Sequence, residues 1–288
     1  MACLIACDVT HTIENRQFSG PPIPGGSRPL EVDVRLPAGG VRLHAGRADA
    51  LYRADVTLCG EHTLASAELT AGSATTAGWL TLSLVRRPGV FVGFGGEHNE
   101  MRLDLTPSLP LLLDLKLGEG ESVIDLGGLE VRRFHLLAGA GDSRIIFSRP
   151  NAESAPEVDI EGTVGDIGVD LLGNANASKI IVAGGVGSLE VDLSGAWRRD
   201  ASVEIRGSVG DVVLKLPGTG GDGPSAGLRL RVGKPWGNGL EPAGYQRRGD
   251  DLLSEGYDTA SPKIDVKVLP GIGRLSVVRD QNRRKPSR

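Results

Sequence analysis

The sequence predicts an all-β protein and, within that class, a β-solenoid (β-helix-like) made of stacked two-strand coils of about 22 residues. Three observations predict it. First, one pattern recurs from Val32, Leu113, Phe134, Val158, Ile180, Val203 and Ile264: apolar, any, apolar, a glycine seven residues after the first apolar residue, then apolar residues four and six after that glycine. Second, apolar and polar residues alternate within each copy, as at Val158/Ile160 and Val169/Leu171, which is the period of a strand with one buried face. Third, no stretch sustains a helical period, glycine supplies 42 of 288 residues, about twice the usual ~7%, and aromatics are only 4%.

Taken in order, residues 1–29 read as an irregular N-terminal leader, because Gly20-Pro21-Pro22 and Pro24-Gly25-Gly26 break any regular element. The repeat domain is expected over 30–279. It begins with the loose copy at Val32 and continues less regularly through LYRADVTLC, WLTLSLV and the glycine-rich GVFVGFGGEHNE, a hairpin or a loop beside a strand. The regular copies fill 101–217; those at Val158, Ile180 and Val203 follow one another at 22 and 23 residues. A Gly/Pro-rich excursion at 217–262 precedes the last copy, and 280–288 reads as a basic disordered tail.

A unit this short cannot bury its apolar face alone, so the copies must stack. Stacking would place Ile124, Ile145, Val169, Val191 and Leu214 in one inward column and Leu126, Phe147, Leu171, Leu193 and Leu216 in the next. Each buried aliphatic side chain contributes roughly 1.5–3 kcal/mol. The anchor glycines Gly39, Gly120, Gly141, Gly165, Gly187, Gly210 and Gly271 recur at one offset, which points to a positive φ or a corner with no room for Cβ. A β-sandwich of antiparallel hairpins gives the same alternation and is the rival arrangement.

A net charge of −4 and a pI near 5.8 give no general attraction to nucleic acid, and no stretch approaches the ~20 apolar residues that span a bilayer. Cys3, Cys7 and Cys59 fit neither a disulfide framework nor a zinc site, and Cys59 in ADVTLC reads as a small core residue. Leu4-Ile5-Ala6-Cys7 resembles the lipobox of bacterial lipoproteins, in which the cysteine is lipidated. The apolar run ahead of it is too short for a signal peptide, so lipidation of Cys7 requires a start further upstream. With such a start the protein is expected to be an extracytoplasmic lipoprotein; otherwise it is expected to be soluble and cytoplasmic.

No catalytic constellation stands out, and no cofactor is expected. Gly218–Gly223 formally matches GxGxxG, but Pro224 and the strand-like LRLRV follow where a dinucleotide site needs a helix. His11, His44, His62, His98 and His135 are scattered without metal-ligand spacing. In the outward column Asp125, Ile146, Asp170, Asp192, Lys215, the neighbours Asp170 and Asp192 would lie ~4.8 Å apart, where carboxylates repel. Pairing with Lys215, solvent or a cation would relieve them, which makes Asp170 and Asp192 the candidate cation ligands. The excursion holds Trp236, Tyr245 and Tyr257, which serve either as a binding surface or as a cover for the open end of the stack.

Between Glu100 and Phe147 the chain carries Pro110, the corner Gly118-Glu119-Gly120, the step Asp125-Leu126-Gly127-Gly128-Leu129 and the corner Gly139-Ala140-Gly141-Asp142. On these motifs, with Tyr257–Ala260 and the last copy, it resembles the bacterial toastrack domain and its adhesin-like relatives over roughly 30–279. Glu119 departs from the small residue usual between the two glycines. The resemblance implies a non-enzymatic domain of bacterial envelope proteins, with no family active site to carry over. The expected role is therefore an extended surface for an envelope protein or glycan. The alternatives are a polymerising cytoskeletal scaffold and a carbohydrate-active β-helix enzyme.

Overall fold

The computed structural model describes residues 13–23, 26–59, 63–73, 75–86, 99–207, 209–217, 226–233 and 242–279. Cys7, Trp236, the Gly218–Gly223 run, most of GVFVGFGGEHNE and the basic tail lie outside the described residues. The first third of the chain forms β1 (Ile13–Gly20), β2 (Leu30–Ala38), β3 (Gly40–Ala45), β4 (Tyr52–Cys59), β5 (Thr63–Ala71), β6 (Gly78–Arg86) and β7 (Glu100–Leu105). The regular copies follow as β8 (Pro110–Glu119), β9 (Ser122–Asp125), β10 (Glu130–Ala140), β11 (Ser143–Ile146), β12 (Ala155–Val164), β13 (Ile167–Asp170), β14 (Ala177–Ala183), β15 (Leu189–Asp192), β16 (Ala201–Arg206) and β17 (Val212–Leu216). The chain closes with β18 (Gly227–Val232), β19 (Tyr245–Arg248), β20 (Asp251–Ser254), β21 (Lys263–Leu269) and β22 (Leu275–Arg279).

These strands make two large sheets, one of ten strands and one of twelve. The two strands of a repeat copy do not pair with each other; the first joins the larger sheet and the second the smaller. Each pairs in parallel with the equivalent strand of the next copy, as in Val158↔Ile180 and Ile180↔Val203 in one sheet and Val169↔Val191 and Val191↔Leu214 in the other. The period of the repeat thus sets the register.

Order in space differs from order in sequence at both ends. The pair β6 and β7 stacks outside β2 and β3, although it follows them in the chain. Beyond it the strands turn antiparallel: β5 on β6, β4 on β7 and then β1 on β4. Residues 13–20, inside the segment expected to be irregular, are therefore an edge strand. At the far end β18 runs parallel to β21, and β20 and β19 follow antiparallel.

The interior is aliphatic. Ile124, Ile145, Val169, Val191 and Leu214 are each 0% exposed, as their shared position requires. Two expectations need correction. Leu171 leaves its column with a left-handed backbone (φ 58), and Leu172, first residue of a short 3₁₀ turn, is buried instead. The last corner glycine is Gly273 (φ 150), not Gly271, because Val203 pairs with Val266 rather than Ile264. A slip of two residues keeps every side chain on its own face, so alternation alone could not separate the two registers. Cys59 is buried, as expected, but is disulfide-bonded, which counting cysteines did not suggest.

The corner glycine is required twice over. Gly165 has φ 119, and a Cβ on it would lie 2.3 Å from the carbonyl oxygen of Gly141 in the neighbouring copy. The same approach is 2.0 Å from Gly210 to Gly187, so a methyl group in this column would force adjacent coils apart.

Candidate functional site

The outward column of the smaller sheet extends further than the sequence indicated. Asp104 on β7 and His44 on β3 lie beside one another at its start, followed by Asp125, Ile146, Asp170, Asp192 and Lys215. The pairing of β13 with β15 runs as far as Val169↔Val191, and Asp170 and Asp192 are the next residue on each strand.

Lys215 acts on that pair through its charge alone, and the direct bonds come from elsewhere. Arg144 Nε donates to Asp170 Oδ2 at 2.7 Å, crossing the strand diagonally because the residue facing Arg144 is Gly168, which has no side chain to block it. Asp192 accepts from the backbone N–H of Ser194 and from its hydroxyl, both at 2.8 Å. Lys215 reaches past Asp192 to Glu190. The hydrogen bond to Glu190 holds the ammonium above its ordinary value, burial opposes it, and the charges of Glu190, Asp192 and Asp170 add to it. Each carboxylate thus has a partner of its own, and among the described residues no three His, Cys, Asp or Glu side chains gather into a metal-ligating group.

At the start of the column a cavity of about 220 Å³ is lined by His44, Arg47, Asp49, Tyr52, Arg53 and Asp104. It is smaller than the ~300–1,000 Å³ usual for a ligand site. Its charges face one another, Arg47 Nε at 3.2 Å from Asp49 Oδ2 and His44 Nε2 at 2.9 Å from Asp104 Oδ1. The second contact does not meet hydrogen-bond geometry and is a charge contact only when His44 is protonated.

The excursion aromatics part ways. Tyr245 is 5% exposed on β19, its hydroxyl donating to the carbonyl of Pro217 at 3.1 Å, and burial pushes its phenol well above the ordinary value. It covers the core and is not available as a contact surface, which corrects one of the three aromatic candidates. Tyr257 is half-buried between two cations, with Arg229 Cζ 5.7 Å and Lys263 Nζ 5.2 Å from the ring centroid and its hydroxyl 3.3 Å from Asp265 Oδ1. Trp236 lies outside the described residues.

Sequence reasoning missed the corner opposite the glycines. Asn151, Asn174 and Asn176 are buried there, and their amides bond backbone carbonyls of adjacent coils, Asn151 to Val131 at 2.6 Å and Asn174 to Phe147 at 2.8 Å. Trp197 closes over them, its indole N–H donating to Leu193 at 2.8 Å. The sequence signal was the run Asn174-Ala175-Asn176, whose second asparagine takes the left-handed backbone (φ 55) that ends the 3₁₀ turn.

Residues 9–170 match the family model described as the N-terminal domain of toast_rack, DUF2154, over more than half of the chain. The chain belongs to the toast-rack family. The match stops at the end of β13 in this toast-rack protein, although the register continues unbroken into β14 to β17. Among solved structures it is similar to a "putative cell adhesion protein" from Clostridium sporogenes ATCC 15579, with 15% identity over 93% of this chain and 100% of that one and a TM-score of 0.46. A "putative adhesin" from Bacteroides fragilis NCTC 9343 gives 13% identity over 93% and 97% at a TM-score of 0.37. Another from Parabacteroides distasonis ATCC 8503 gives 10% over 93% and 98% at 0.36. No curated protein matches.

Proposed function

We propose that this toast-rack protein is a non-enzymatic, adhesin-like β-solenoid that presents an extended surface to a protein or glycan of the bacterial cell envelope. The observation that carries the reading is the division of labour in the coil stack. Inward positions are mostly aliphatic, while outward charges bond one another, as in Arg144 with Asp170, Lys215 with Glu190 and Lys179 with Glu157. Side chains paired this way hold a surface rigid. Envelope association rests on the toast-rack resemblance and on the lipobox-like run ending at Cys7. A polymerising scaffold would stack end on end, and antiparallel strands interrupt the parallel register at both ends of the larger sheet and at one end of the smaller.

The test is sedimentation of the full chain with purified envelope fractions, outer-surface membranes and cell-wall sacculi, scored for binding and for release of reducing sugars. Saturable binding to a fraction without sugar release is the expected result. Release of reducing sugars, absence of binding to every fraction, or filaments by electron microscopy at rising concentration would overturn the reading.

A further inference from the structure

The corner that joins the two sheets carries an apolar ridge. Val164, Val186, Val209 and Ile272 each precede a corner glycine and stack through the bridges Val164↔Val186, Val186↔Val209 and Val209↔Ile272. They are 52%, 52%, 44% and 76% exposed. The turn does not demand them. Ala38, Glu119 and Ala140 occupy the same position ahead of Gly39, Gly120 and Gly141, which share the positive φ. Four exposed β-branched residues on successive coils make a ridge about 15 Å long at ~4.8 Å per coil.

Beside the ridge, one residue past the glycine, stand Asp166, Ser188, Asp211 and Arg274, with Asp142 in the copy just before the ridge begins. Asp142, Asp166 and Asp211 are the acids of this row. One oxygen of each accepts a backbone N–H of the next coil, at 2.9 Å from Asp166, 2.7 Å from Ser188 and 3.0 Å from Arg274. These three make no ion pair within the described residues, whereas Asp170 and Glu190 on the sheet face do, and the row ends in the exposed Arg274. With three acids against one arginine, the row carries an excess of negative charge along an apolar ridge and favours a cationic occupant with apolar side chains.

We propose that this corner is the docking surface for an extended, basic segment of a partner polypeptide whose aliphatic side chains lie over the valine ridge. The inference rests on the non-enzymatic docking role and names the face and the partner chemistry. Its test is fluorescence anisotropy of the full chain with a labelled decapeptide of alternating lysine and valine, and with its glutamate–valine counterpart. The lysine peptide is expected to bind, more weakly as salt rises, and the glutamate peptide not to bind. The variant D142N/D166N/D211N keeps an oxygen for each backbone bond and is expected to melt like the parent while losing roughly tenfold in affinity, and V186S/V209S likewise. Asp33→Asn, on the larger sheet's face, is expected to change nothing. Equal binding by all variants, no binding of the lysine peptide at millimolar concentration, or a parent dimer that dissociates on ridge substitution would overturn the proposal. If the ridge variants still sediment with envelope fractions, the docking role stands and only the corner is wrong.

Discussion

Between Leu113 and Leu216 every copy repeats the one before it, whereas both ends of the larger sheet and one end of the smaller are closed by strands that obey no repeat. In the centre, the strands of one copy meet the next in parallel and in register, so one error propagates along a column. At the ends, β1, β4, β5, β19 and β20 pair antiparallel, and each position is used once. The difference teaches where stability is concentrated. A central position is coupled to both neighbours, and a terminal one only to the coil beneath it.

The sharpest way to break the comparison is a charge in the central column. Val169→Asp or Val191→Asp puts a carboxylate at a site 0% exposed, and each is expected to cost more than about 4 kcal/mol in urea denaturation. Asp170→Ser, one residue away but outward, is expected to stay within about 1 kcal/mol. Next is the glycine corner. Gly165→Ala meets a carbonyl at 2.3 Å with φ 119, and a loss of about 3 kcal/mol is expected by thermal denaturation. Gly249→Ala in the terminal hairpin, with φ 63 and open space around it, is expected to cost about 1 kcal/mol.

Smaller still is Tyr245→Phe, which leaves the Pro217 carbonyl without its donor. A loss of about 1 kcal/mol is expected, with faster hydrogen exchange confined to β18, β19 and β20. The smallest effect is electrostatic. Burial, with Glu161 adding, raises the Asp159 carboxyl above its ordinary value, and Asp159 Oδ1 is buried without a hydrogen bond. A raised folded-state value means that the charged form costs stability above it and that the cost vanishes as pH falls below the ordinary carboxylate range. Asp159→Asn is therefore expected to raise the melting temperature by about 1–2 °C at pH 7 and not at pH 3, in paired calorimetric scans.

What the sequence revealed follows the same division. The inward columns and the corner glycines were legible because one steric demand recurs at a fixed offset, and recurrence separates need from chance. Gly273 was misread as Gly271 because the two registers differ by two residues and keep the same faces. The terminal strands were not legible, since an edge strand such as IENRQFSG has neither alternation nor a repeat to betray it. Partners in the outward column were also hidden. Sequence position places Asp192 beside Lys215, but the choice of Glu190 depends on the hydroxyl of Ser194, and that of Arg144 on the empty face of Gly168.

The central claim, that equivalent strands of successive copies pair in parallel, is tested most directly by interstrand backbone NOEs in the perdeuterated chain with selective Hα protonation. Amide-to-Hα contacts are expected between the strands around Ile160 and Val182 and between those around Val169 and Val191. Contacts pairing 158–164 with 167–171 in an antiparallel ladder would contradict it and restore the hairpin sandwich.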